Sequence, residues 1–344
     1  MKIGILSAGG DCPGINAAIR GVGKTAIIEY GMEVVGIING FTGLVEKDVI
    51  ELKENMLSGI LTLGGTILGT SRLKPYKPDE DEDPRKIPEL IKKNYHELGL
   101  DGLVCIGGNG TQKTADLLSQ EGLNVVGVPK TIDNDIWGTE VTFGFDTAVH
   151  IATEAIDRLH TTANSHKRVM VIEVMGHHAG WIALHAGMAG GGDVIIIPEI
   201  EHDIDLISKY LLERSNKKKP YSIVVVAEGI EIPKKKKKSA GAYIAKQIKK
   251  RTGLETRETI LGYTQRGGTP TSTDRILATE FGSYTAELLY KKEFGNMVAM
   301  KNGKVGKVSL NEVGGKLKLI EASNNKLIKK GRHMGICFGD CMPK

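Results

Sequence analysis

The sequence predicts an α/β protein of two lobes, each built on a mostly parallel sheet with helices on both faces. Short apolar runs typical of buried strands are repeatedly followed by a glycine-rich turn and then by a segment with helical spacing. Strands that alternate with helices in this way favour parallel sheets. The pattern occurs as two series along 344 residues, and a chain of this length has room for two domains.

The first series opens with a predicted strand at residues 2–7 and a glycine-rich turn. After the turn, Ile15, Ile19, Val22 and Ala26 recur at helical spacing, which predicts a helix. Further strands are predicted at residues 32–39, 102–106 and 124–128, with a helix over 112–118.

The second series repeats this order of elements. Its strands are predicted at residues 169–174, 193–197 and 222–227, and its helices over 181–188 and from about 240. Ligands of such folds bind at the carboxyl ends of strands, so we expect the loops described below to converge on the cleft between the lobes.

Composition argues against nucleic-acid and membrane partners. The net charge of +5 depends on two lysine runs, residues 217–219 and 234–238, so the basic charge is local. The 6 Phe, 2 Trp and 9 Tyr residues are too sparse for a base-stacking surface. No apolar run approaches the length of a membrane span, and the first apolar run is too short for a signal peptide. We therefore expect a cytoplasmic protein whose four cysteines are buried free thiols.

Two glycine-rich loops in the first series suit an anion. In the first, Gly9, Gly10 and Gly14 allow close approach to the backbone, and amides at a helix N-terminus attract anions. The spacing is neither a dinucleotide fingerprint nor a P-loop, and a tight turn without a ligand is the alternative. In the second, GGTILGTSR, Arg72 follows the glycines, and a guanidinium group can bridge phosphate oxygens.

The segment PKTIDND carries the most specific chemistry. It combines Lys130, the Thr131 hydroxyl, and two carboxylates at Asp133 and Asp135. In an extended chain this spacing puts both carboxylates on one side. One can then accept a proton from a hydroxyl while the other holds a metal-bound phosphate. Two turn-capping aspartates are the alternative.

The second series adds cations and one acid. Arg168 precedes a predicted strand, while Arg266 and Arg275 lie in or just after a segment rich in Gly and Thr. Such a set suits a dianionic phosphate group. Glu228, after the strand at residues 222–227, can accept hydrogen bonds from sugar hydroxyls. No histidines have the spacing of a zinc protease, which argues against a zinc site.

Six motifs in order resemble those of the 6-phosphofructokinase family. They are GGDCPGINAAIRG, GGTILGTSR, GGNGT, PKTIDND, MGHHAG and LGYTQRGG, and the match extends from the first residues to about Leu289. The resemblance implies a cytoplasmic homotetramer that transfers the terminal phosphoryl group of ATP to the 1-hydroxyl of fructose 6-phosphate, with Mg²⁺. It implies a nucleotide-binding lobe of residues 1–142 plus about 275–310, and a sugar-phosphate lobe of residues 143–274 plus about 311–344.

The resemblance also assigns a role to each candidate residue. Asp133 is the expected base, with Thr131 beside the transferred group and Gly10 and Arg72 on the donor phosphates. The other residues expected to bind the nucleotide are Phe41, Leu73, Tyr76, Gly107, Gly108, Asn109, Gly110, Thr111 and Lys130. The other residues expected to bind the sugar phosphate are Asp135, Arg168, Met175, Gly176, His177, Glu228, Arg266 and Arg275. Arg168 and Arg266 are expected to act in a neighbouring subunit, and Asn109 and Asp135 near Mg²⁺.

Departures from the family pattern bear on the donor. Asn109 stands where ATP-using members have an Asp, and His177 where an Arg is usual. Gly110 leaves room for the α-phosphate and ribose of ATP, whereas pyrophosphate users carry an Asp there. Lys130 favours pyrophosphate, but its long side chain is expected to swing aside. We therefore expect ATP. The alternatives are a pyrophosphate-dependent phosphofructokinase and a non-catalytic nucleotide-binding regulatory subunit.

Overall fold

The computed structural model describes residues 1–77, 83, 85–233 and 239–343. The lysine run 234–238, expected to be a solvated loop, lies outside these residues. The strands are β1 (Lys2–Ala8), β2 (Glu33–Ile37), β3 (Val49–Glu51), β4 (Gly102–Gly107), β5 (Val125–Pro129), β6 (Val169–Val174), β7 (Val194–Ile196), β8 (Ser222–Ala227), β9 (Thr256–Ile260), β10 (Asn296–Lys301) and β11 (Lys304–Ser309).

Helices follow most of these strands, as the alternating pattern predicts. They are α1 (Ile15–Ile28), α2 (Phe41–Glu46), α3 (Lys86–Glu97), α4 (Asn109–Gln120), α5 (Phe145–His166), α6 (Trp181–Ala189), α7 (Ile204–Asn216), α8 (Ala240–Thr252), α9 (Ser272–Tyr290), α10 (Leu310–Val313) and α11 (Lys326–His333). Short 3₁₀ turns lie at Glu54–Leu57 and Gly262–Arg266.

The chain forms two compact units. Unit 1 comprises Met1–Thr131, Ile136–Asp146 and Arg266–Leu317, and unit 2 comprises Ile132–Asp135, Thr147–Gln265 and Lys318–Lys344. The predicted lobes were defined by the ligands they bind, and they stay a prediction.

Unit 1 is built on a mostly parallel sheet. Among the described residues this sheet has the strand order β11-β10-β5-β4-β1-β2-β3, with antiparallel pairing only at its two edges. The interior strands are apolar on both faces because helices such as α4 and α9 pack against them. Helices α1 and α9 approach closely, since a Cβ at Gly21 would lie only 2.7 Å from the Thr279 carbonyl oxygen. The mixed α/β fold that the alternation predicts is confirmed.

Unit 2 is built on a smaller, fully parallel sheet. In the described part of the chain its strand order is β7-β8-β6-β9, so β6 lies in the interior. Every residue of β6 and β8 is buried. Glu173 is the carboxylate within β6; it accepts a hydrogen bond from the Gly241 amide, and burial raises its pKa.

Most predicted elements are confirmed, with differences at their ends. The strands at residues 169–174 and 222–227 match residue for residue. The helix predicted over 112–118 begins earlier, at Asn109, because the second half of GGNGT already forms its first turn.

The prediction that all cysteines are buried is wrong at one position, since Cys341 is exposed. No helix in the described part of the chain is both long and apolar enough to cross a bilayer.

Candidate active site

Three loops of unit 1 meet because their strands are neighbours. Ala8 at the end of β1 is in register with Gly107 at the end of β4, and Gly107 is in register with Pro129 at the end of β5. The turn after β1, the GGNGT loop and the start of PKTIDND therefore emerge side by side at the carboxyl edge of one sheet.

The turn after β1, residues 9–14, is held to the GGTILGTSR loop by backbone hydrogen bonds. The Gly9 amide donates to the Ser71 carbonyl at 2.9 Å, and the Thr70 hydroxyl donates to the Gly9 carbonyl at 2.7 Å. Arg72 follows directly and is exposed. Within the described residues, the amides of Gly10 and Asp11 have no hydrogen-bond acceptor. The turn can therefore offer N–H groups to an anion, with an arginine one residue beyond its support.

Lys130 occupies a different place from the one expected. Its side chain is 2% exposed, and its ammonium donates to the carbonyl oxygens of Ala8, at 2.9 Å, and of Gly10. The expectation that it swings aside is wrong, because moving the ammonium away would break its hydrogen bonds to both carbonyls in a buried place. Lys130 thus supports the turn through its carbonyls and adds positive charge beneath it.

The thiol within the same turn is inert by its environment. Cys12 is fully buried, and this burial raises the pKa of its thiol. A protonated, enclosed thiol is not a nucleophile, so the turn acts through its backbone.

The GGNGT loop starts α4. Gly108 is the extended N-cap residue, Asn109 is the first helical residue, and the buried Thr111 hydroxyl donates to the Ala8 carbonyl at 3.4 Å. Gly107 must lack a side chain, because a Cβ there would lie 2.2 Å from the Thr111 Oγ1. At Gly110, which is exposed, a Cβ would meet nothing within 4 Å. Packing within the chain therefore does not require a glycine at position 110.

The residues expected beside the adenine lie partly in the core. Phe41 is 1% exposed and belongs to the main hydrophobic core of unit 1, while Leu73 and Tyr76 are half-buried and pack against that core. Burial raises the pKa of the Tyr76 phenol. Leu73 and Tyr76 therefore keep accessible surface in this region, whereas Phe41 supports it from within.

Two arginines expected at the sugar phosphate lie in unit 1. Arg266 donates to the Asp11 carbonyl at 3.2 Å, and a Cβ at Gly10 would lie 2.7 Å from its Nη1. Arg275, in the first turn of α9, donates through Nε to the Pro270 carbonyl at 2.8 Å. In this chain Arg266 therefore lies against the turn after β1.

In unit 2 the turn after β6, residues 175–180, is held by a carboxylate. Glu228 follows β8, the neighbour of β6, and its Oε1 accepts from the amides of Gly176, at 3.3 Å, and His177, at 3.0 Å. One oxygen of the Glu228 carboxylate, which is expected to bind sugar hydroxyls, is therefore already engaged with the backbone. The Met175 amide donates to the Gln265 side-chain oxygen at 2.8 Å.

Gln265 was not singled out by the sequence analysis. It is fully buried, and within the described residues its Nε2 has no hydrogen-bond partner. The charge of its neighbour Arg266 indicates a binding role in the sequence, whereas a neutral amide within LGYTQRGG carries no such signal.

The aspartates of PKTIDND do not lie on an extended chain. Asn134 between them has φ 51°, which is left-handed backbone, so the expectation of two carboxylates on one side of a strand is wrong. Asp133 and Asp135 are 8% and 6% exposed. Thr131, at the end of unit 1, is half-buried, and its carbonyl accepts from the Thr142 hydroxyl at 2.8 Å.

Arg168 lies at the opposite end of β6 from the turn of residues 175–180. Six strand residues, roughly 20 Å at 3.3 Å each, separate the two. Its guanidinium pairs with Glu255 at 2.9 Å and thereby lowers the pKa of that carboxyl. Arg168 therefore cannot serve the turn of its own chain.

In the described part of the chain, the side chains that usually bind metal ions do not form a metal cage by themselves. Among the described residues, no three His, Cys, Asp or Glu side chains are grouped to hold a metal ion. Mg²⁺ usually needs only one or two protein carboxylates together with waters and substrate phosphates. The buried carboxylate of Asp135 in unit 2 suits that kind of ligation, and so, considered separately, does the amide oxygen of Asn109 in unit 1.

The chain is similar to known proteins over most of its length. The phosphofructokinase family model matches residues 2–289. The chain is 60% identical to ATP-dependent 6-phosphofructokinase 3 of Bacteroides thetaiotaomicron, over 98% of this chain and 100% of that protein. It is 46% identical to a pyrophosphate–fructose 6-phosphate 1-phosphotransferase of Amycolatopsis methanolica, over 93% of this chain and 96% of that protein.

A solved structure agrees with the fold. Phosphofructokinase of Pichia pastoris, crystallised in the T-state, matches with a TM-score of 0.83 and 34% identity. The match covers 91% of this chain and 35% of the longer Pichia chain.

Proposed function

The chain belongs to the phosphofructokinase family, and from this premise we propose that it transfers the terminal phosphoryl group of ATP to the 1-hydroxyl of fructose 6-phosphate. One observation carries the proposal: the Lys130 ammonium binds the carbonyls of Ala8, at the end of β1, and of Gly10, in the turn after it, while the Gly10 and Asp11 amides have no acceptor among the described residues. A row of amides above a buried cation suits the phosphates of a nucleotide.

Phosphoryl transfer has a loose transition state, so the protein contributes mainly positioning and charge stabilisation. We assign the donor phosphates to Gly10, Arg72 and the start of α4. Asn109 begins α4, a helix whose N-terminus favours negative charge. In this assignment Arg72 stays exposed until the donor arrives and then bridges its phosphate oxygens.

In the acceptor half, Asp133 takes the proton of the 1-hydroxyl as the hydroxyl attacks. Its burial removes competing water and keeps the carboxylate in a defined place. Thr131 lies beside the transferred group. Met175, Gly176, His177 and the second oxygen of Glu228 contact the sugar. Asp135 and the amide oxygen of Asn109 would hold Mg²⁺, which would offset charge on the donor phosphates.

Two features of unit 1 favour ATP over pyrophosphate. The open space at Gly110 leaves room for a nucleotide beyond its terminal phosphates. The lysine that favours pyrophosphate in the sequence is buried against two carbonyls and does not need a short anion as its partner. The identity of 60% to an ATP-dependent relative, against 46% to a pyrophosphate-dependent one, supports the same donor.

Arg168 supports a homotetramer with shared sites. Since it cannot reach the turn after β6 in its own chain, its predicted role in sugar-phosphate binding requires a second subunit. Arg266 is assigned the same kind of role, in which it leaves its contact with Asp11. We further propose a cytoplasmic location.

We also propose that an anionic effector regulates the protein by binding in unit 2. Unit 2 has a cavity of about 420 Å³ whose charged lining residues are the cations Arg214, Lys217 and Lys219 and the acids Asp193 and Glu213, with His333 beside them. Asp193 pairs with Arg214 at 2.5 Å in this cavity. The excess of cations suits a phosphorylated small molecule.

A coupled assay tests the proposal. The purified protein is given fructose 6-phosphate and Mg²⁺ with either ATP or pyrophosphate, and fructose 1,6-bisphosphate is measured. We expect turnover with ATP and little with pyrophosphate. Turnover with pyrophosphate alone would reverse the donor assignment. Nucleotide binding without turnover would favour a regulatory subunit.

A further inference from the structure

Residues 318–320, here called the strap, lie against the Ile132–Asp135 segment within unit 2. The Lys318 amide donates to the Asp135 carbonyl at 2.8 Å. The Lys318 ammonium donates to the Asn134 Oδ1, also at 2.8 Å. Both ends of Lys318, its backbone and its side chain, therefore hold the segment that carries the two aspartates.

The strap also holds the end of the turn after β6. The Trp181 indole donates to the Lys318 carbonyl at 2.9 Å, and the Lys318 ammonium lies 5.5 Å from the centre of the Trp181 ring. Glu199 Oε1 accepts from the amides of Ile320, at 3.1 Å, and Gly180, at 3.0 Å. The strap thus links two loops that the proposed function places at the acceptor.

The backbone between the aspartates needs such support. Asn134 has φ 51°, is 5% exposed and is flanked by two nearly buried carboxylates. Left-handed backbone is unfavourable for most residues with a side chain; Asn tolerates it better than most, and surrounding contacts then select it. A buried side-chain oxygen also needs a donor, which Lys318 supplies.

From these contacts we infer that Lys318 is a positioning residue for Asp133 and Asp135. Its ammonium fixes Asn134 in the left-handed conformation that sets the directions of the two carboxylates. The inference rests on the proposed function only for the consequence in catalysis. Lys318 lies beyond residues 2–289, which the family model matches, so the assignment comes from the contacts described above.

Lys318→Met keeps the length of the side chain and removes its charge and donors. We expect kcat to fall about ten- to hundredfold, since a small misplacement of reacting groups has effects of this size, with KM for both substrates within about twofold of wild type. Lys318→Arg should recover part of the loss. Lys316→Met is the matched control, because Lys316 is exposed two residues away, and it should behave as wild type.

A double-mutant cycle tests whether Lys318 acts through Asn134. Asn134→Gly permits the left-handed backbone without strain but removes the acceptor oxygen. Lys318→Met should therefore have almost no further effect on kcat in the Asn134→Gly background. Full additivity of the two effects, or wild-type kcat in Lys318→Met, would overturn the inference.

Hydrogen exchange gives a readout independent of activity. Amides of residues 133–136 should exchange at least about tenfold faster in Lys318→Met than in Lys316→Met, because the local opening that exposes them becomes easier. Unchanged exchange overturns the positioning role. If wild type has no activity with either donor while exchange changes as expected, the proposed function fails and the positioning role stands.

Discussion

The turn after β1 and the turn after β6 both follow an interior strand of a parallel sheet, yet the fold holds them by opposite charges. At the first, the ammonium of Lys130 binds the carbonyls of Ala8, at the end of β1, and of Gly10, within the turn. The second has its amides at Gly176 and His177 bound by the carboxylate of Glu228. Each turn is rich in glycine, so composition alone does not distinguish them.

The difference determines which turn can receive phosphate. A cation on the carbonyls leaves amides of the first turn available and adds attraction for an anion. A carboxylate on the amides of the second turn occupies those donors and repels a nearby phosphate. The first turn therefore suits the donor phosphates, and the second suits the neutral hydroxyls of a sugar. Substitutions in and beside the two turns test this contrast.

Asp133→Asn tests the chemical step independently of the two turns. Because the amide cannot accept the hydroxyl proton, kcat should fall about 10²- to 10⁴-fold, the usual contribution of a general base. KM for ATP and for fructose 6-phosphate should stay near wild type in steady-state kinetics. Asp157→Asn, at an exposed position of α5, is the matched control. Near-normal turnover would remove Asp133 from the role of base.

Lys130→Met removes the cation beneath the first turn. A unit charge about 5 Å from a phosphate contributes roughly 3 kcal/mol at an effective dielectric of about 20, so kcat/KM for ATP should fall about a hundredfold. KM for fructose 6-phosphate should change little. Lys113→Met, on the exposed side of α4, makes the same chemical change at the surface. Unaltered ATP kinetics would show that the buried ammonium is only structural.

Gly110→Asp places volume and negative charge at the start of α4. Since a Cβ there meets nothing within 4 Å, the variant should fold normally, as checked by its melting temperature. Repulsion of roughly 1 to 4 kcal/mol should lower kcat/KM for ATP by at least about tenfold. Gly110→Ala, which adds only a methyl group, should remain close to wild type. Equal losses in both variants would point to steric exclusion alone.

Glu228→Gln keeps an oxygen for the second turn but removes its charge. A hydrogen bond to a charged acceptor is stronger than a neutral one by about 1 kcal/mol, so KM for fructose 6-phosphate should rise about fivefold. KM for ATP should not change. Glu231→Gln, at an exposed position nearby, is the control. An effect on ATP rather than on the sugar would contradict the separation of the two turns.

The local features of this protein follow from its sequence. Buried strands such as β6 and β8 are mostly apolar runs, with Glu173 the one charged residue in either, so their positions are visible in the residue order. The glycine-rich turns and the family motifs are local as well, and they identify most of the candidate site. These signals succeed because they depend on residues within a few positions of each other.

The partners of the charged side chains depend on distant parts of the chain. Lys130 is 120 positions or more from the carbonyls that it binds, and they meet because the sheet orders its strands β5-β4-β1. Lys318 reaches Asn134 across 184 positions. From the sequence alone, a lysine is therefore equally compatible with binding a ligand and with supporting the backbone. Which of these roles it has depends on which strands become neighbours, because packing decides whether its ammonium meets water, phosphate or carbonyl oxygen.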